Sequence, residues 1–539
     1  MTGPNKHIFW WIPLLIIAMG TLICGIFLTD IPERDAVARY IPMTEAFAAG
    51  DWTFAFHPRI QPLQIICGGI IAAITGFDGF LALKTASALW FIAGGIVLFH
   101  MLREIYPDRR RIAFWGTVFY ALHPYLFHLA VSGVRDSAKA TLLLLIAYGV
   151  IKVFREREKR GGYWLTAAAC SLGIICRVDM IPTSLIGFTI AAALEWRQKK
   201  YPLNSLYASS CLLFTMLTVS LLNSLVPGAM LPDSRMITVF IKIFHRPPCF
   251  TDALLVSLAA MAGIAAGAWI LKKLMKSFTF SAAVILLITV TAGISVYSTL
   301  TLPHTKPASF IMAVIKGFYH FAGIFEIAVI ITLAILKKLS DEEKFLVIFV
   351  LLNAAVNIIS IQLSEHILFV TSRYLAPALP LWAGFFIIGI ELIYILVDKS
   401  VPHKLTNILL FLSCTAIAGG LLYHMFQPIL RSRTDPKHKE MRQATFWIAS
   451  FIAGDYRGSK EKEVKTEIRF YQSRKSPKIF FTRTSPAMAS AYFAGGSIAK
   501  RKKYADYIVS SEPPAKSVRL LMHFKGHHKQ FYVWRNKQK

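Results

Sequence analysis

The sequence predicts a polytopic α-helical membrane protein of about 13 transmembrane helices, closed by a small α/β C-terminal extracytoplasmic domain. Three observations carry this expectation. Of 539 residues, 55% are hydrophobic and only 17% charged, with a mean hydropathy of +0.52, outside the range of ordinary soluble domains. Apolar runs of about 20 residues, long enough to cross the hydrocarbon core, recur from Ile8 almost to residue 425. The short Lys/Arg clusters between those runs all fall on one side of the predicted path, the cytoplasmic side under the positive-inside rule.

The first span is read at Ile8–Leu28, too long for a signal-peptide core and without a small-residue cleavage site after it. Residues 29–79 then form a long outer loop, in which Leu63–Thr75 is apolar but short for a span and is placed along the interface. The second span, Phe80–Leu102, leads to Asp108-Arg109-Arg110-Arg111. The third, Ile112–Ala130, leads through Val131–Ser137 to the fourth, Ala138–Phe154, and a basic loop. The fifth and sixth cover Tyr163–Ile175 and Ile181–Trp196, with Arg177 and Asp179 between them. The seventh ends near Val226, before a second long outer loop at Pro227–Asp252. The eighth and tenth run to Lys272-Lys273 and Lys337-Lys338, the ninth and eleventh to outer segments at Leu302–Lys316 and Ser364–Tyr374. The twelfth ends at Asp398-Lys399 and the thirteenth near Phe426. This divides the chain into a transmembrane unit, 1–426, and a basic domain, 427–539.

In the C-terminal domain, Met441, Phe446, Ile448 and Ile452 give Lys439–Ala453 helical spacing. Strands are expected at Lys478–Thr482, Ala505–Ser510, Val518–Phe524 and Gln530–Trp534, with a helix at Ser485–Ala494. Between Arg431 and Lys539, 25 Lys/Arg stand against 8 Asp/Glu, so this segment supplies +17 of the net +29. On a membrane-attached domain that charge points to anionic lipid or glycolipid and not to nucleic acid. The seven cysteines form no C-x-x-C pair, and none lies in the tail, so neither a thiolate metal site nor a disulfide framework is expected. No two of His57, His245, His304 and His366 have helical ligand spacing, which leaves no zinc motif.

The chemistry concentrates in the first outer loop. Glu33-Arg34-Asp35 lies a few residues beyond the first span, where ionised groups need water, a partner or a function. Asp35 suits two readings: a general base taking a proton from an acceptor, or the N-cap of a helix over Ala36–Ala49. Asp136, in Ser132-Gly133-Val134-Arg135-Asp136-Ser137, likewise stands at a helix start. It reads as a cap, or as a second carboxylate that braces the reacting group or binds a divalent metal cation. His57, Arg59, Arg177, Arg246 and Arg373 share the same face and suit a phosphate, through paired charge-assisted hydrogen bonds. Taken singly, each also fits snorkelling or ion pairing, as between Arg177 and Asp179.

Asp35, followed by Gly50-Asp51-Trp52 and by Pro58 and Pro62-Leu63, resembles the first outer loop of the C-type glycosyltransferase superfamily. The similarity is to the branch of protein O-mannosyltransferases and lipid A aminoarabinose transferases. Gly133–Ser137 resembles its second-loop acid, Leu172–Arg177 the end of its fifth helix, and Arg373-Tyr374-Leu375-Ala376-Pro377-Ala378-Leu379-Pro380 its late R-Y-L-x-P-x-x-P element. The chain departs from the branch at Ala36, where a second acid is common, and at His57, where a lysine is common. The resemblance implies an inverting transfer of a sugar from a polyisoprenyl-phosphate donor to an envelope lipid, glycan or protein acceptor. Asp35 would be the base and Asp136 its assistant. His57, Arg59, Arg177, Arg373 and Tyr374 would sit at the donor phosphate. The implied location is the bacterial inner membrane, with active site and C-terminus extracytoplasmic. The rival class is a transporter or lipid-linked-sugar flippase. Such proteins place broken-helix sites near the midplane of repeated halves, whereas here the charges gather in outer loops and no repeat is visible.

Overall fold

The computed structural model describes residues 11–29, 32, 36–56, 60–155, 161–177, 180–198, 250–277, 403–434 and 443–449, the strands between 478 and 535 with their neighbours, and scattered positions from 205 to 389. Asp35, His57, Arg59, Asp179, Arg246, Arg373 and Tyr374 lie outside the described residues. So do most of the expected seventh span, the ninth to eleventh spans and the expected helix Ser485–Ala494.

Helix α1, Trp11–Leu28, is followed by a π-helical turn at Ala36–Tyr40 and then α2, Ile41–Ala48. A single helix over Ala36–Ala49 is therefore replaced by two pieces. Pro42, in the first turn of α2, has no N–H for the carbonyl four residues back and its ring would strike that carbonyl, so the turn before it widens. A short α3, Trp52–Ala55, leads to α4 at Leu63–Thr75, within the bounds expected for the interfacial segment. Gly76 ends α4 in the left-handed conformation, φ +72°. Ile70, Ile74 and Phe77 are exposed, as suits a helix whose outer side meets lipid.

Helix α5, Gly79–Ile105, is the described helix long and apolar enough to cross a bilayer unaided. Its start is fixed by Asp78, whose Oδ1 accepts from the N–H groups of Phe80 (2.9 Å) and Leu81 (3.0 Å). The expected third span is two helices, α6 (Arg110–Leu122) and α7 (Pro124–Val131). Proline drives the residue before it to extended geometry, and His123 is there, at φ −68°, ψ 116°; its Nδ1 accepts from Leu126 N at 3.4 Å and starts the next helix.

Helices α8 (Asp136–Arg155), α9 (Gly161–Cys176) and α10 (Met180–Gln198) follow as expected within a few residues. α8 and α9 touch at the backbone: a Cβ on Gly162 would lie 2.7 Å from the Gly149 carbonyl oxygen. Paired small residues of this kind are what bring lipid-embedded helices together. Helix α11 is Phe250–Ser277, and α12 is His403–Thr434, packed on α6 and α7. α12 continues past Phe426, so the expected domain boundary falls inside a helix.

The chain reverses direction between successive long helices. One end of the bundle therefore holds the exit of α1, α2 to α4, the turn before α8, and Arg177. The other holds Tyr106, Arg155, Ser340, Glu342 and Glu343, where Arg155 Nη2 donates to Ile105 O (3.2 Å) and Arg155 Nε pairs with Glu342 (3.2 Å).

The C-terminal strands are β1 (Lys478–Phe481), β2 (Ser497–Ile498), β3 (Tyr507–Ser510), β4 (Leu520–Lys525) and β5 (Gln530–Arg535). They form one mixed sheet in the order β2-β1-β3-β5-β4, with β1 parallel to both β2 and β3, and β5 antiparallel to β3 and β4. Four strands lie where expected. β2 was not foreseen, since two residues carry no alternation to read. Strand β3 is buried at all four positions, as its unbroken apolar run requires in the centre of a sheet. Edge strand β2 lies against the π-helical turn, with Cα atoms within 8 Å.

Candidate active site

Three loops meet at the first-loop end of the bundle. The turn before α8 depends on Gly133, at φ +72°, where a Cβ would also lie 3.3 Å from Leu83 Cβ. Ser87 on α5 holds that turn by donating to the Val134 carbonyl at 2.9 Å. Gln64 on α4 in turn donates to Ser87 Oγ (2.9 Å) and to Leu83 O (3.2 Å). Asp136 then opens α8 with its side chain at 0% exposure, and its Oδ1 receives Nη1 of Arg177, the residue after α9. One residue earlier on each side, Cys176 Sγ donates to the Arg135 carbonyl at 3.7 Å. Two consecutive residues of one loop are thus held by two consecutive residues of the next.

Arg135 points the other way. Its Nη1 donates to Gln61 Oε1, and its guanidinium carbon lies 6.0 Å from the centre of the Tyr40 ring. Both partners belong to the first loop. Lys84, 5% exposed on α5, donates to the carbonyls of Ile26 (2.6 Å) and Thr29 (2.9 Å), tying down the exit of α1 before that loop begins. Within the loop, Asp51 follows Gly50 (φ +78°) and caps α3 by accepting from Phe54 N at 3.2 Å. Six buried side-chain polar atoms among the described residues lack a partner, and four of them, on Thr44, Gln64, Arg135 and Ser137, lie at this end. Unsatisfied polar atoms in such concentration mark a place where a ligand or water completes the bonding.

The structure therefore brings together two of the expected site residues, Asp136 and Arg177. Arg177 forms an ion pair with Asp136, 41 residues away; the pairing with Asp179 suggested by sequence involves a residue outside the described ones. Asp136 is the first residue of its helix and not the one before it. For Asp35 and Arg59 the next described residues, Ala36 and Ile60, are buried against this same end. Asp136, the metal candidate, is taken up by an arginine, and among the described residues no group of three His, Cys, Asp or Glu gathers. These residues do not fit a cation site. Arg135, Gln61, Lys84 and Lys139, the last 1% exposed, were not singled out from sequence. Lys84 and Lys139 carried a signal, as single charges inside apolar runs.

The helical bundle, with its polar site where three loops converge at one end, shares its fold with two solved proteins, ArnT and an oligosaccharyltransferase. ArnT from Cupriavidus metallidurans in the apo state matches over 99% of both chains at 12% identity and a TM-score of 0.52. The same protein bound to undecaprenyl phosphate matches over 98% of both at 12% identity and 0.50. The Archaeoglobus fulgidus oligosaccharyltransferase in the apo form matches over 94% of this chain and 70% of its own, at 11% identity and 0.51. At these identities the likeness is one of fold. No protein-family model matches the sequence, and no curated protein does.

Proposed function

We propose that this protein is an inverting glycosyltransferase of the bacterial inner membrane, working on its extracytoplasmic face. It moves a sugar from a polyisoprenyl-phosphate donor to a hydroxyl or amine of an envelope lipid, glycan or protein. The observation that carries the reading is the buried Asp136–Arg177 pair, joined through Arg135 to the first loop, at the polar end of a fold shared with a protein solved with undecaprenyl phosphate.

In this reading Asp35 takes the acceptor's proton as the acceptor attacks the anomeric carbon. The bond from that carbon to the phosphate oxygen breaks, and its electron pair leaves with the carrier phosphate. Arg177 holds Asp136 in place beside the reacting groups. His57, Arg59 and Arg373 neutralise the departing phosphate and Tyr374 donates a hydrogen bond to it, which lowers the barrier because these groups are in place before the reaction begins. Thirteen spans, with the C-terminal sheet on the same face as the first loop, complete the arrangement, and the basic C-terminal domain attracts an anionic acceptor.

The test is transfer from a panel of radiolabelled polyprenyl-phosphate sugars in membranes carrying the wild type or Asp35→Asn. Loss of about 10²-fold or more at equal expression is expected. Equal transfer by both would remove Asp35 from the chemistry.

A further inference from the structure

Resting on that reading, we propose that Arg135 is a positioning residue, which fixes the first loop at Tyr40 and Gln61 against the turn that carries Asp136. Its backbone is clamped from one side: the carbonyl receives Cys176 Sγ at 3.7 Å, and the next residue, Asp136, is paired with Arg177. Its side chain reaches the other way, to Gln61 Oε1 and to the Tyr40 ring. Tyr40 ends the π-helical turn that starts one residue after Asp35, and Gln61 lies two residues after Arg59. One guanidinium therefore grips both sides of the stretch 41–60. It does so from a residue that cannot move without disturbing the Asp136–Arg177 pair.

The π-helical turn needs such a grip. Its wide hydrogen-bonding ring is a rare and weakly favoured backbone state, so neighbours must hold it. Ala36, Val37 and Tyr40 are buried at 0%, 1% and 4% exposure. Arginine suits the task better than lysine, because its planar fork bonds Gln61 while its delocalised charge stays near the Tyr40 ring. Lysine, a single point charge, serves one partner or the other.

Hydrogen exchange on the purified full-length protein needs no substrate. Arg135→Ala and Gln61→Leu are each expected to speed amide exchange in peptides spanning 36–61, with peptides of α8 and α9 unchanged. Uniform acceleration throughout would mean general destabilisation, and unchanged exchange would mean no grip; either overturns the proposal. In the transfer assay, both variants should lower kcat by about tenfold or more while the donor KM stays within about twofold, and Arg135→Lys should recover part of the loss. A raised donor KM at unchanged kcat would make Arg135 a donor-binding group and overturn the positioning role. If Asp35→Asn keeps wild-type transfer while both variants still loosen 36–61, the catalytic reading fails and the loop-holding role of Arg135 survives.

Discussion

Asp136 and Arg177 show what a buried ion pair does to the residues around it. Both side chains are withdrawn from solvent, at 0% and 7% exposure, so each charge helps to stabilise the other. Removing one partner of a buried pair costs about 3–5 kcal/mol. Arg177→Met is expected to lower the melting temperature in detergent clearly. Adding Asp136→Leu to it should restore much of the stability but none of the transfer. A double variant no more stable than Arg177→Met would deny the coupling. The sequence pointed to both residues through their shared side of the membrane. It could not pair them, because a contact across 41 residues and two helices leaves no local pattern. Arg135 was hidden for a similar reason: its neighbour Asp136 had the more obvious chemistry, and Gln61 had none.

At the level of elements, hydropathy located the helices and local chemistry decided their ends and breaks. The Leu63–Thr75 helix was legible to the residue, since Pro62 and Gly76 bracket it. The third span, expected as one helix over Ile112–Ala130, splits at His123-Pro124, a break that the proline within the apolar run marks but hydropathy does not. The opposite end of the bundle holds a link that was not legible. Ser340 Oγ accepts from Glu343 N (3.2 Å), and Glu343 Oε2 accepts from Ser340 N (2.7 Å), the reciprocal arrangement of a capping box. The other oxygen, Glu343 Oε1, accepts from Tyr106 OH at 2.8 Å, which fastens the end of α5 to this distant helix. Burial, and then the Glu343 carboxylate, hold the Tyr106 phenol well above its ordinary pKa of 10.0. A raised pKa means that the folded state keeps the proton more tightly. This contribution is complete below about pH 10 and is lost as pH rises from there toward the folded value. Tyr106→Phe is expected to cost about 1 kcal/mol at neutral pH and to flatten the alkaline fall in melting temperature. An unchanged alkaline profile would contradict the assignment.

For the whole molecule, composition and charge placement made the membrane-protein class legible, because the bilayer restricts what can cross it. The C-terminal strands were legible from their apolar runs. Their attachment was not, since the contact between β2 and the π-helical turn joins segments separated by most of the chain. Deleting residues 435–539 is expected to raise amide exchange at 36–40 and leave α5 to α9 as they are. No change at 36–40 would show that the sheet lends the turn no support.

That contact also bears on the order of synthesis. Ser497–Ile498 is made more than 450 residues after Ala36–Tyr40. While those residues are being translated the turn waits in the membrane without this neighbour, and acquires it only once the C-terminal strands have been made. A nascent chain, or one cut short by a late stop codon, has its helices in the bilayer before its first loop is fully braced. Synthesis of the C-terminal sheet is then itself a step in maturing the site.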